Sequence, residues 1–234
     1  MEPRSAAVSS PAMRSFAPIL REATRRAGGA DALAARMPSV KSAAGLRRLG
    51  DDRYFSQMAL RIFRAGLKHS LVDAKWPAFE DVFNGFAPAA VHAMPDEALE
   101  ALMGDARLIR HWGKLKAVHA NAKGFVEVAR SHGAFGRYLA DWPGERVVEL
   151  WAELAKRFRQ MGGNSGPYFL RMVGKDSFTL SPYVCRGLVA CGALEDEPKG
   201  KKGQQAAQEA FNAWAAETGQ PLAHLSMALA IATD

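Results

Sequence analysis

The stretch Leu154-Ala-Lys-Arg-Phe-Arg-Gln-Met-Gly-Gly-Asn-Ser-Gly-Pro-Tyr-Phe-Leu-Arg-Met-Val-Gly174 decides the reading of this chain. Leu154, Phe158 and Met161 give one apolar side before the glycines, and Phe169, Leu170 and Val173 give another after them. Helical spacing is thus interrupted by a turn and then resumes. Gly162, Gly163 and Gly166 permit positive φ and close approach of another backbone. Asn164 or Ser165 can cap the second helix, and Pro167 suits its first turn. The segment reads as helix, hairpin, helix. Such a turn aims backbone N–H groups at whatever lies before the second helix, which in a basic protein points to a phosphate. An ordinary helix-to-helix turn is the plain alternative.

The basic character is real: the 234 residues carry a formal net charge of +7. That excess favours a polyanionic partner or an anionic surface, without separating nucleic acid from membrane. Hydrophobic residues make up 48% of the chain, enough for one core or two small lobes around a cleft. Cys185 and Cys191 lack the paired spacing of a zinc site, so neither a disulfide framework nor a cysteine-rich metal site is expected. A reducing cytoplasm fits this usage. No apolar run reaches membrane-spanning length and no secretory leader is recognisable.

Helical spacing dominates from Phe16 onward, with no convincing strand alternation. Gly and Pro punctuation predicts helices near 15–27, 30–36, 42–48, 52–67, 70–74, 76–84, 88–93, 96–103, 107–111, 114–130, 133–140, 146–160, 167–174, 182–190, 203–218 and 221–232. Pro77 is read as punctuation close to the break between 70–74 and 76–84. Lys199-Gly-Lys-Lys-Gly203 reads as a flexible basic linker. Residues 1–13, rich in Ala, Ser and Pro, read as a loose tail. Residues 14–234 form a single helical unit, all-α, of two lobes flanking a cleft, one from about 54–160 and the other from both chain ends.

Three further segments keep order and spacing with the hairpin: Phe63-Arg-Ala-Gly-Leu67, Ala74-Lys-Trp-Pro-Ala-Phe79, and Leu108-Ile-Arg-His-Trp-Gly-Lys-Leu-Lys-Ala117 running on to Asn121-Ala122. Together they make the chain resemble the DNA-3-methyladenine glycosylase I family of the helix-hairpin-helix glycosylase superfamily. The likeness covers about residues 51–175 and continues more weakly to 232. Ala65-Gly66-Leu67 matches the family's Gln-Ala-Gly-Leu-Ser-Trp segment, and Ile109-Arg110 with Gly113-Lys114 its Ile-Ile-Arg-x-x-x-Lys-Ile segment. Lys156-Arg157 through Gly163 and Tyr168 matches its Lys-Lys-Arg-Gly-Phe-x-Phe-Val-Gly run.

The resemblance implies a monofunctional enzyme that turns a damaged nucleotide out of duplex DNA and hydrolyses the N-glycosidic bond of an alkylated purine, chiefly 3-methyladenine. It places Gly66 and Leu67 at the loop that fills the gap left by the base; Leu is an apolar wedge, and the alternative is a buried helix end. Lys156 and Arg157, with Gly162, Gly163, Asn164, Ser165 and Gly166, are the expected phosphate contacts. Arg110 and Lys114 extend the basic face, although Arg110 can instead pair with Asp105.

The base-pocket positions depart from the family. Arg61 stands where it has a glutamate and His69 where it has a tryptophan; Phe63 is either a stacking ring or a core residue. A carboxylate suits a cationic base, whereas a bare guanidinium repels one unless it is paired, with Asp73 or Asp52 for example. Ser181-Pro-Tyr-Val-Cys-Arg186 carries serine where related glycosylases place a catalytic aspartate, in agreement with the 3-methyladenine branch. The hairpin has no lysine for Schiff-base chemistry, and the family's zinc ligands have no counterpart. No metal or cofactor is expected, the partner is double-stranded DNA containing a damaged base, and the protein is expected to be a monomer. The second reading is a non-catalytic helix-hairpin-helix protein that recognises damaged or distorted DNA.

Overall fold

The computed structural model describes residues 15–234, so the expected tail at residues 1–13 lies outside the described residues. The helices are α1 (Ala17–Ala27), α2 (Ala30–Ala34), α3 (Ala43–Arg48), α4 (Asp51–Arg64), α5 (His69–Val82), α6 (Pro88–His92), α7 (Asp96–Ala101), α8 (Trp112–His132), α9 (Phe135–Asp141), α10 (Val147–Arg157), α11 (Ser165–Val173), α12 (Pro182–Ala190), α13 (Gly200–Thr218) and α14 (Leu222–Thr233). No strand occurs among the described residues, and no helix there is long and apolar enough to cross a membrane.

Aromatic side chains at helical spacing build the first lobe. α4 opens on Asp51 and Asp52 and closes on Arg61 and Arg64, a charge order that complements the helix dipole. Its Tyr54, Phe55, Met58, Ile62 and Phe63 are buried. Phe55 lies 4.9 Å from Phe125 of α8, which lies 4.5 Å from Phe135 of α9. The chain ends make the second lobe: α1 and α12 both pack on α14, Phe16 meets Trp214 at 5.2 Å, and Phe178 meets Phe211 at 4.5 Å. α10 joins the two cores through Trp151, 4.6 Å from Phe178. α11 packs on α4 and reaches α14 through Arg171, whose Nη2 donates to the Ala223 carbonyl and Ser226 Oγ.

The structure corrects several expected elements. Pro77 lies inside α5 rather than breaking it. The ring removes only the hydrogen bond to the Asp73 carbonyl, and Pro77 and Asp73 are both exposed, where water can replace it. Trp76 stacks on Phe79 and Phe86, and this packing holds the helix through the proline. Residues 107–111 are not helical: Lys75 Nζ donates to the carbonyls of Ala106 and Arg107 and keeps that segment open. The basic run 199–203 is not a linker, because residues 200–203 form the first turn of α13, with Gly203 seated against Pro198. α4 ends at Arg64, which leaves Ala65–Lys68 as a loop. Ser181 caps α12 as its sequence indicates, Oγ accepting from the Val184 amide.

Gly136 marks the tightest junction, since a Cβ there would overlap the Leu46 carbonyl oxygen and press on the Tyr54 ring. Backbone cannot yield as a side-chain tip can. Gly136→Ala is expected to cost about 1–3 kcal/mol, read as a drop in Tm of about 2–4 °C per kcal/mol. Gly144→Ala, whose Cβ meets nothing within 4 Å, is the control and should leave Tm nearly unchanged.

Candidate functional site

α8 holds the hairpin in place. Asn121, buried in the middle of α8, accepts from the Arg159 amide at 2.7 Å and donates to the Arg159 carbonyl at 3.1 Å. Phe158 is buried beside it against Gly124, where a Cβ would lie 2.6 Å from the ring. Gln160 takes φ +60° and donates from Nε2 to the Gly113 carbonyl at 3.0 Å. A side-chain-bearing residue adopts that φ only when it is held there. Asn121 lies in a segment that carries the family resemblance, but neither it nor Gln160 is assigned a role by the sequence. Besides that motif, the signal for Asn121 is a polar side chain on the apolar face of a helix.

The bend itself faces solvent. Gly162, Gly163 and Asn164 are exposed, Ser165 is half-buried, and Gly163 adopts φ +57°. The amides of Gly162, Gly163 and Asn164 have no acceptor among the described residues. Two expectations need correction. Asn164 occupies the cap position, but its side chain donates to the Leu180 carbonyl at 3.2 Å instead of accepting from α11. Gly166 is buried against the Met161 carbonyl, so it is a packing residue and not a point of outside contact.

Three pieces of chain converge at this bend. The loop at 65–68 follows α4 and is held by Lys114, residues 110–116 lead into and open α8, and the hairpin, tied to Gly113 through Gln160, leads into α11. Lys114, expected on the basic face, is only 7% exposed; its Nζ donates to the carbonyls of Phe63 and Ala65 at 3.0 and 2.6 Å. Burial and the neighbouring Arg61 push its pKa down. It is therefore a brace for the loop and not a phosphate contact. Gly66 is exposed at φ +75° and Leu67 is half-buried against the core, so the loop tip is backbone with an apolar side chain behind it.

Arg61 sits one helical turn before this loop with its guanidinium 5.0 Å from the centre of the Tyr168 ring of α11. It forms no ion pair among the described residues, and its buried Nε has no hydrogen-bond partner there. Burial lowers its pKa. Asp73 and Asp52 are engaged elsewhere, with Arg64 and Arg53. Phe63 is fully buried, 4.5 Å from Phe79, which makes it a core residue and not a stacking platform. His69 is exposed at the start of α5.

Basic side chains gather near the convergence, with Asp96 and Glu100 lining the same hollow as Lys116 and Arg159. Arg110, Lys116, Lys156, Arg157 and Arg159 are all exposed, and none forms an ion pair among the described residues. Asp105, the alternative partner for Arg110, binds Arg107. Asp176, the first acid after the hairpin, accepts from the amides of Leu222 and Ala223 and so caps α14. No group of three or more His, Cys, Asp or Glu residues that could hold a metal ion occurs among the described residues.

This arrangement has relatives. DNA-3-methyladenine glycosylase 1 of Escherichia coli (strain K12) is 31% identical over 91 residues, 39% of this chain and 49% of that protein. The DNA-3-methyladenine glycosylase of Haemophilus influenzae is 26% identical over 95 residues, 41% and 51% respectively. The chain thus spans about half the length of the curated relatives it matches. Among solved structures, a variant of 3-methyladenine DNA glycosylase I from Staphylococcus aureus superposes with a TM-score of 0.50 at 19% identity, over 64% of this chain and 90% of that one. The 8-oxoguanine glycosylase/lyase of Methanocaldococcus jannaschii, solved with DNA, superposes with a TM-score of 0.54 at 13% identity, over 91% and 95%. These likenesses place the fold among the helix-hairpin-helix DNA glycosylases. The methyladenine glycosylase family model matches residues 43–162, a little over half of the sequence, and the chain belongs to that family.

Proposed function

We propose that the protein is a DNA glycosylase that hydrolyses the N-glycosidic bond of alkylated purines of the 3-methyladenine type in duplex DNA. It acts as a monomer in the cytoplasm and releases the base without cutting the strand. The observation that carries this reading is the hairpin: three exposed amides without acceptors, flanked by unpaired cations and pinned to α8 beside the Gly66 loop. Amide groups and cations acting together suit a phosphate, and an apolar side chain at a neighbouring loop suits the vacancy left by an extruded base. In the reaction the bond between C1′ and the purine nitrogen breaks with its electron pair going to the base. Water adds to C1′ and its proton leaves to solvent. N-methylation already makes the base a good leaving group, so orientation and extrusion are the main contributions required of the protein.

The second reading, a non-catalytic DNA-binding relative, draws on two observations. Arg61 has no carboxylate beside it, and the acid nearest after the hairpin, Asp176, is used as a helix cap. Incubation with methylated genomic DNA separates the two. Release of free alkylated purine, resolved by chromatography, is the expected outcome; tight duplex binding without release would favour the second.

Two variants test the anchor. Replacing Lys156, Arg157 and Arg159 together by Glu should weaken duplex binding and flatten the dependence of log K on log salt by about 0.9 for each phosphate deprived of its cation. Asn121→Ala leaves the Arg159 amide without its partner. It should cost about 1–3 kcal/mol of stability and weaken DNA binding while keeping the salt slope, since no cation is removed.

A further inference from the structure

Arg61 is a side chain at the convergence whose chemistry the glycosylase reading leaves unused. Its guanidinium lies 5.0 Å from the centre of the Tyr168 ring, its Nε is buried without an acceptor, and no hydrogen bond or ion pair among the described residues engages the remaining N–H groups. Arg64, one turn further along α4, is satisfied by two hydrogen bonds to Asp73. Lys114, also near Arg61, is turned to the carbonyls of Phe63 and Ala65. Burying a guanidinium partway without an acceptor is costly, and the cost is offset when an acceptor arrives.

Two acceptors are available on DNA, the phosphate and the base edge. On the glycosylase reading the exposed cations Arg110, Lys156, Arg157 and Arg159 serve the first. Arg61 is half-buried over the Tyr168 ring and lies one turn before the Gly66 loop, which the glycosylase reading places beside the base that leaves the stack. A planar fork of N–H donors matches O6 and N7 of a 6-oxopurine, whereas the 6-amino group of adenine presents hydrogens to it.

We infer that Arg61, supported on Tyr168, reads the acceptor edge of the extruded base, so that this protein prefers methylated 6-oxopurines to methylated 6-aminopurines. The inference rests on the glycosylase reading above. Because 3-methylguanine and 3-methyladenine carry the same formal charge in DNA, charge repulsion is common to both and their ratio isolates the hydrogen bonds.

The test is release of both bases from methylated duplex DNA, each scaled to the amount present, by the unaltered protein, Arg61→Met and Arg61→Lys. The unaltered protein should favour 3-methylguanine by about tenfold or more, the discrimination a two-bond contact sustains. Arg61→Met should abolish that preference, and Arg61→Lys, which keeps the charge but not the fork, should lose most of it. Preference for 3-methyladenine, or a ratio that neither variant moves, overturns the inference while leaving the glycosylase reading intact. If the variants instead lose affinity for undamaged duplex with no change in ratio, Arg61 is a phosphate contact and the inference fails. Release of neither base overturns the glycosylase reading. Titration of the protein and Arg61→Met with free 3-methylguanine and 3-methyladenine, followed by tryptophan fluorescence, then decides the inference: tighter binding of 3-methylguanine that Arg61→Met removes upholds it, and equal binding sinks it.

Discussion

The paired hydrogen bonds between Asn121 and the backbone of Arg159 are the constraint on which this site depends. A glycine bend has little structure of its own, because its residues can populate many conformations. Here the last residues before the bend are fixed to the centre of the longest described helix, by an amide that donates and accepts at once, with Phe158 closing down on Gly124. Each such bond contributes about 1 kcal/mol net, but leaving the buried groups unpaired costs more, so the arrangement is close to all-or-none. The exposed amides of Gly162–Asn164 then stand on a rigid base.

The same helix organises the second half of the site. Lys114 reaches from the first turn of α8 to the carbonyls that end α4, which determines where the Gly66 loop leaves the helix. α8 is thus anchored to both the hairpin and the loop, and the distance between an anchored phosphate and the place where a base would leave the stack is a property of one element. Some surface arginines are matched with carboxylates, as in Arg53 with Glu80 and Arg146 with Glu149, and others, such as Arg21 and Arg137, form no ion pair among the described residues. Beside the hairpin, Lys156, Arg157 and Arg159 are exposed and form no ion pair among the described residues.

Burial separates residues that the sequence leaves alike. Lys114 and Lys156 are both lysines near glycines in basic surroundings, but one is a buried brace and the other an exposed charge. Gly162 and Gly166 differ in the same way, one at the surface and one packed against the Met161 carbonyl. Phe63 lies in a motif that resembles the family's pocket segment, yet its ring belongs to the phenylalanine core. Composition and spacing report residue type along the chain; they carry no account of which face of a helix a neighbouring helix covers.

The all-helical class, the hairpin and the Ser181 cap were legible from residue order alone, because 3.6-residue periodicity, glycine and proline punctuation and capping chemistry are local. The persistence of α5 through Pro77, the helical start of α13 at residues 200–203, the clamp by Asn121 and the unpartnered state of Arg61 were decided only in three dimensions. Each depends on what residues distant in sequence place nearby: a stack of aromatic rings, a proline under a glycine, a backbone segment alongside a helix, and the commitment of nearby acids to other arginines.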